Sequence, residues 1–121
     1  MPPDPSRGSN DKYGRPKDIG GDASAFSPTD LVASGLASCI LTTMAMFAER
    51  HEIDLTGAKA HVSKEMATSG QRRIARLPVI VTLPASIPMD IRERLEKVGY
   101  SCPVHASLHP DIDAPIEYRY E

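Results

Sequence analysis

Two cysteines, Cys39 and Cys102, carry the redox and nucleophilic chemistry open to this chain, and they sit in unlike surroundings. Cys39 lies within Ser27-Pro28-Thr29-Asp30-Leu31-Val32-Ala33-Ser34-Gly35-Leu36-Ala37-Ser38-Cys39-Ile40, which reads as the first half of a long, nearly uncharged helix. Cys102 lies in Ser101-Cys102-Pro103-Val104-His105-Ala106-Ser107-Leu108, a capped turn entering a second, short helix. With no third cysteine to pair with, the two can form a redox couple. They can equally be two packed side chains, because free cysteine is among the most buried residue types. A thiol is a nucleophile only as thiolate, so local electrostatics decide its reactivity. Cys39 stands about three turns into its helix, too deep for the positive helix end to help much. It needs a cation from elsewhere: Arg15, Arg72, Arg73, Arg76 or His105. Cys102 caps its own helix, where free backbone N–H groups favour negative charge, so physics alone ranks it the more easily ionised.

Other chemistry is thinly represented. Cys102-x-x-His105 with His109 supplies one side of a four-ligand zinc set and no more, so no metal is expected. His51 and His61 read as solvent-facing, and Met44, Met46 and Met66 as packing. No cofactor motif stands out. The net charge of −2 gives no general attraction to nucleic acid or anionic membrane. Residues 1–24 are polar throughout and lack the basic-then-apolar layout of a signal peptide, so the expected compartment is cytoplasmic. There a disulfide is transient and catalytic more often than structural.

The elements that must position the thiols are well punctuated by 11 prolines. One domain is expected from 121 residues, with an aliphatic core, since tryptophan is absent and aromatics make up 5%. Residues 1–10 read as disordered and 11–24 as an arm carrying Arg15. Ser27 is a good N-cap, Pro28 suits the first helical position, and Asp30 completes a capping-box pattern. From Leu31 to Ala48 no residue is charged, a length at which a membrane span must be weighed. The run is too rich in Ser, Thr, Gly and Ala to partition strongly, so it reads as a central core helix ending near Glu49-Arg50-His51. Leu55–Thr68 and Arg72–Leu83 read as two antiparallel strands around a Ser69-Gly70-Gln71 break, with Pro78 marking an edge or bulge. Pro88 and Asp90 open a helix running to Val98 and closed by Gly99. Ala114–Tyr120 alternates as a last strand. The order is α–β–β–α–β, an α+β layout with helices on one side of an antiparallel sheet. Small residues Ala33, Ser34, Gly35, Ala37 and Ser38 let a second backbone approach, so the long helix is expected to be shared between two subunits.

The block from Pro28 to Cys39, together with Cys102-Pro103-Val104-His105-Ala106-Ser107-Leu108, resembles the OsmC/Ohr family (osmotically induced protein C and organic hydroperoxide resistance protein). The resemblance spans about residues 18–120, which divides the chain into a flexible arm, 1–17, and an OsmC-like domain, 18–121. It implies an intertwined α+β homodimer around two long central helices, with active sites at the subunit interface. It also implies a thiol peroxidase in which Cys39 is the peroxidatic cysteine and Cys102 the resolving one. The Cys39 thiolate attacks the peroxide, the resulting sulfenic acid condenses with Cys102, and an external dithiol reduces the disulfide. An apolar pocket would favour organic hydroperoxides.

Two departures qualify the resemblance. The family's peroxidases carry a glutamate just after the proline that opens the long helix, where this chain has Thr29. Asp30 points about 100° away round the helix and substitutes poorly. The family's thiolate-steadying arginine has its nearest counterpart here in Arg15, with His105 as a second candidate. Lacking the Arg–Glu pair, this chain is expected to turn over slowly or take a different substrate. The alternative reading is a dimer that keeps the fold and thiols but serves as a redox sensor or a binder of an apolar small molecule.

Overall fold

The computed structural model describes residues 26–121. The expected arm of residues 1–17, its boundary at 18 and Arg15 lie outside them. Helix α1 spans Pro28–Arg50 and begins as its sequence directs. Asp30 N–H donates to Ser27 Oγ at 3.2 Å and Ser27 N–H to Asp30 Oδ2 at 3.0 Å, a reciprocal capping box. At the other end His51 is the C-cap, and Glu52 takes a left-handed conformation, φ 56°. Ile53 N–H then reaches back to the Ala48 carbonyl at 2.8 Å, the long bond of a Schellman closure. An 18-residue window of α1 has mean hydropathy 1.8, enough to cross a membrane by length and composition alone. Here the helix is the core of the fold, with Ala33, Leu36, Ile40, Met44 and Ala48 buried at helical spacing.

The expected first strand, Leu55–Thr68, is shorter and divided. Leu55–Ala58 forms a turn closed by Ala58 N–H on the Leu55 carbonyl, with Gly57 at φ 89°. Strand β1 is Lys59–Val62 and β2 is Glu65–Met66. The return run is likewise two strands, β3 (Ile74–Arg76) and β4 (Val79–Leu83). Strands β1 and β4 pair antiparallel, as do β2 and β3, and the register runs on from one pair to the other apart from an irregularity at Met66. Pro78 causes the interruption. It has no N–H for the ladder, though its carbonyl still accepts from Ser63 at 3.0 Å. Gly70, at φ 73°, lies in the loop joining β2 to β3.

Helix α2 is Met89–Tyr100, α3 is Pro103–Ser107 and β5 is Ile116–Tyr120. The α+β class holds, with one correction to the sheet. Its order is β1-β4-β5, and β5 runs parallel to β4, so the sheet is mixed where a wholly antiparallel one was expected. The two helices between β4 and β5 form the crossover that a parallel neighbour requires. Val79, Val81 and Leu83 of β4 join the buried row of α1 in one core, while Lys59, His61, Glu117 and Arg119 are exposed.

Gly99 has a different job from the one expected. It does not end α2, which continues to Tyr100 with Ser101 as C-cap. A Cβ at Gly99 would collide with Tyr118 Oη and lie 3.4 Å from Met44 Sδ. The glycine is there so that α1, α2 and β5 can meet. Gly99→Ala is therefore expected to destabilise the protein by about 1–3 kcal/mol, the usual range for overpacking, despite the better helix propensity of alanine. Urea unfolding measures this; a gain in stability would overturn the packing account.

Candidate functional site

The row of buried residues on α1 fixes where Cys39 points. Leu36 and Ile40 are fully buried and Ser38 is exposed, so Cys39 lies on the border and is half-buried. Cys102 is 0% exposed and belongs to the core cluster against which Cys39 packs. Helices α1 and α3 are in contact, and Cys39 is close enough to Cys102 to bear on its protonation. Both are free thiols.

The N-cap role expected of Cys102 is present. Its backbone is extended, Pro103 takes the first helical position, and its Sγ accepts from His105 N–H at 3.3 Å. The expected ease of ionisation does not follow. Burial pushes the Cys102 thiol above its ordinary range, the His105 N–H pulls it down, and the neighbouring Cys39 pushes it up again. A short helix's cap is worth about 1 kcal/mol or less, whereas full burial can move a group by several pKa units. Burial wins, and Cys102 keeps its proton.

Three of the candidate cations, His105, Arg76 and Arg73, have other partners. The His105 ring places Nε2 3.0 Å from the Ala114 carbonyl, so Nε2 carries the hydrogen and donates it there. His105 reaches Cys102 through its backbone, not its ring. Arg76 bridges Glu65 and Asp113, both at 2.9 Å, tying the β2–β3 pair to the segment before β5. Arg73 donates to the Ile74 carbonyl at 3.1 Å and borders a cleft of about 500 Å³ with Thr29, Gln71 and His109. Neither cysteine lines that cleft. Among the described residues no group of three or more His, Cys, Asp or Glu is arranged to hold a metal.

Sequence reasoning missed two residues, one beside Cys102 and one at the start of α1. Tyr118 stands close enough to Cys102 for their charges to interact, and its hydroxyl donates to the Glu96 carbonyl at 2.8 Å. Burial, before any neighbouring charge, holds that phenol well above its usual range. The other is Lys64, at the break between β1 and β2. Its Nζ donates to Thr29 Oγ1 and Asp30 Oδ1, each at 2.9 Å, and lies 3.4 Å from Ser27 Oγ. A lone lysine beside a strand break gave no signal, because its partners lie far off in sequence.

Comparisons with known proteins bear on the family and the fold. The model of the OsmC-like protein family matches residues 21–117. The chain belongs to the OsmC-like family. A solved osmotic stress induced and detoxification response protein of Psychrobacter arcticus is 36% identical, with a TM-score of 0.78 over 86% of this chain and 75% of its own. An organic hydroperoxide resistance protein of Legionella pneumophila shares the fold at 19% identity and TM-score 0.68, covering 87% of this chain and 77% of that one. Another such protein, from Vibrio cholerae and with captopril bound in one of its active sites, does so at 20% identity and TM-score 0.71, covering 86% and 72%. No curated protein matches the chain.

The start of α1 makes one prediction about pH. Burial alone would raise the Asp30 carboxyl, but the hydrogen bonds from Lys64 and from Ser27 outweigh it and leave the group below its ordinary value. Near pH 4 the unfolded chain then binds more protons than the folded one, so this contribution is present above that pH and lost as pH falls through the folded value. Asp30→Asn is expected to lower stability at pH 7 and to flatten its decline below pH 4. Urea midpoints between pH 2.5 and 7 test this; an unchanged acid limb would show that the cluster contributes nothing.

Proposed function

We propose that this member of the OsmC-like family is a cysteine-based peroxidase acting on organic hydroperoxides, with Cys39 as the attacking thiol and Cys102 as its resolving partner. One observation supports it above all: the two thiols of the chain, far apart in sequence, are brought close enough across the contact of α1 and α3 for Cys39 to bear on the protonation of Cys102. Cys39, on the half-exposed border, can meet a substrate. Cys102, in the interior, can meet only Cys39. In the proposed cycle the Cys39 thiolate attacks the terminal peroxide oxygen, the O–O bond breaks and an alcohol departs. Cys102 then displaces the hydroxyl of the Cys39 sulfenic acid, giving a disulfide and water. A dithiol from a reducing cytoplasm restores both thiols. No cofactor enters the cycle.

The test is to count thiols before and after one equivalent of cumene hydroperoxide. Fast loss of two thiols is expected, abolished in Cys39→Ser. Loss that is slow, or indifferent to Cys39, would favour the sensor or binder reading.

The proposal includes a homodimer. Along α1 the residues opposite the buried row, Val32 (41% exposed), Gly35, Ser38, Thr42 and Met46 (53% exposed), form an uncharged stripe open to solvent. A second copy of the same stripe would cover it, and the small residues would allow close approach. Cys39 borders this stripe, so the partner would wall the substrate's approach. The wild type is expected to sediment as a dimer and Met46→Asp mainly as a monomer; a monomeric wild type would refute the arrangement.

A further inference from the structure

A short helix beside a reacting sulfur has to be held in place. Helix α3 has five residues and none of them is buried, so packing of its own does not fix it. Val104 and Leu108 only flank the core from half-buried positions. The ring of His105 supplies the hold. Its Nε2–H donates to the Ala114 carbonyl at 3.0 Å, and the ring meets that of Tyr100 near a right angle, centroids 5.4 Å apart. Both contacts end on fixed structure. On either side of Ala114 the backbone is bonded to the β3–β4 run. Asp113 N–H donates to the Ala75 carbonyl at 3.0 Å, Leu77 N–H to the Asp113 carbonyl at 2.8 Å and Val79 N–H to the Pro115 carbonyl at 2.9 Å. Tyr100 is fixed through its hydroxyl, which accepts from Ile116 N–H at 3.0 Å and lies 3.2 Å from the Ile116 carbonyl. The residue whose ring is anchored in this way also gives its main-chain N–H to Cys102 Sγ at 3.3 Å. One residue therefore ties the buried sulfur to the sheet.

We propose that the His105 side chain is a positioning residue for the resolving step, its ring bond to Ala114 holding α3 so that the His105 N–H keeps the Cys102 sulfur in place at the α1–α3 contact. This deepens the peroxidase reading above and rests on it. The step concerned is the condensation of the two sulfurs. Cys102 gives up its proton, its sulfur attacks the sulfur of the Cys39 sulfenic acid, the S–S bond forms and the S–O bond breaks. The departing hydroxide and the released proton make one water, so the step consumes no further oxidant or reductant. A disulfide closes only within a narrow range of sulfur separations and torsions, so a sulfur free to wander closes it slowly. Cys102 is the N-cap of α3, and any shift of the helix carries the sulfur with it. A cation for the thiolate would turn its ring towards sulfur; the His105 ring bonds to Ala114 instead. It acts through Cys102, whose place it fixes, and leaves the chemistry to the two thiols.

The test separates the two steps in a single turnover with tert-butyl hydroperoxide. Sulfenic acid on Cys39 is followed by trapping with dimedone, and closure by loss of the second thiol. Wild type is compared with His105→Leu, which fills space without donating, and with His105→Asn, whose amide falls short of Ala114. His105→Gln carries an N–H to the reach of Nε2 and is the rescue. In the leucine and asparagine variants the ratio of closure to sulfenic acid formation is expected to fall roughly tenfold, the upper end of what one neutral hydrogen bond contributes. Glutamine should restore most of it. The ratio is taken within each protein, so a loss of folded fraction cancels. Equal slowing of both steps beside a lowered urea midpoint makes the ring a structural support only and overturns the proposal. A fall in the ratio that glutamine does not relieve also overturns it. An unchanged ratio beside a fast wild type does the same and leaves the peroxidase reading standing. A wild type that forms no sulfenic acid overturns both.

Discussion

Taking one row of α1 out of water is the constraint on which the rest of the structure depends. Leu36, Ile40 and Met44 are each fully buried, worth roughly 1.5–3 kcal/mol apiece, and β4, α2 and α3 are arranged to cover them. A domain of this size has few such residues to spare. The cover is one-sided, so the opposite row of the helix stays open. Cys39 falls between the two rows. A single turn of phase on the helix decides that its sulfur faces both the interior, where Cys102 waits, and the outside, from which a substrate must come.

The asymmetry of the two thiols follows from the same geometry. Both the helix cap and the neighbouring sulfur act on Cys102, and their effects oppose, but burial is the largest influence and sets the direction. An N-cap position argues for a ready thiolate only while water or several N–H groups share the charge. A five-residue helix such as α3 supplies little of either. In the proposed cycle this division is useful, since one thiol must be ionised first and the other only afterwards.

Much of this was legible in the sequence, and the failures have physical causes. The limits of α1 were readable because Ser27, Pro28 and Asp30 act locally, and so was the capped turn at Cys102. The Schellman closure was hidden because Glu52 takes the left-handed position that glycine usually marks. Pro78 was read as an irregularity within one strand, yet it parts two, because the missing N–H interrupts a ladder whose partner strand is also broken. The parallel placement of β5 depends on a crossover that periodicity cannot reveal. Gly99 looked like a helix stop, though its reason lies in Tyr118 and Met44, on other elements. That the thiols meet was implied by the family resemblance, not by any spacing in the chain.

The start of α1 shows how far this chain has moved from the resemblance that introduced it. Thr29 stands where a glutamate was expected, and its hydroxyl accepts from Lys64 and pairs with Ser27 at 3.1 Å. Asp30, the only acid in the first turn, is held by the Ser27 backbone and by Lys64. A cluster so occupied joins the β1–β2 break to the helix and has its own carboxylate neutralised by its own lysine. It is built for attachment. Thr29 is also ten residues before Cys39, about 15 Å along the helix axis, too far within one chain to steady a thiolate directly. Any cation that pairs with Cys39 has to come from outside this cluster.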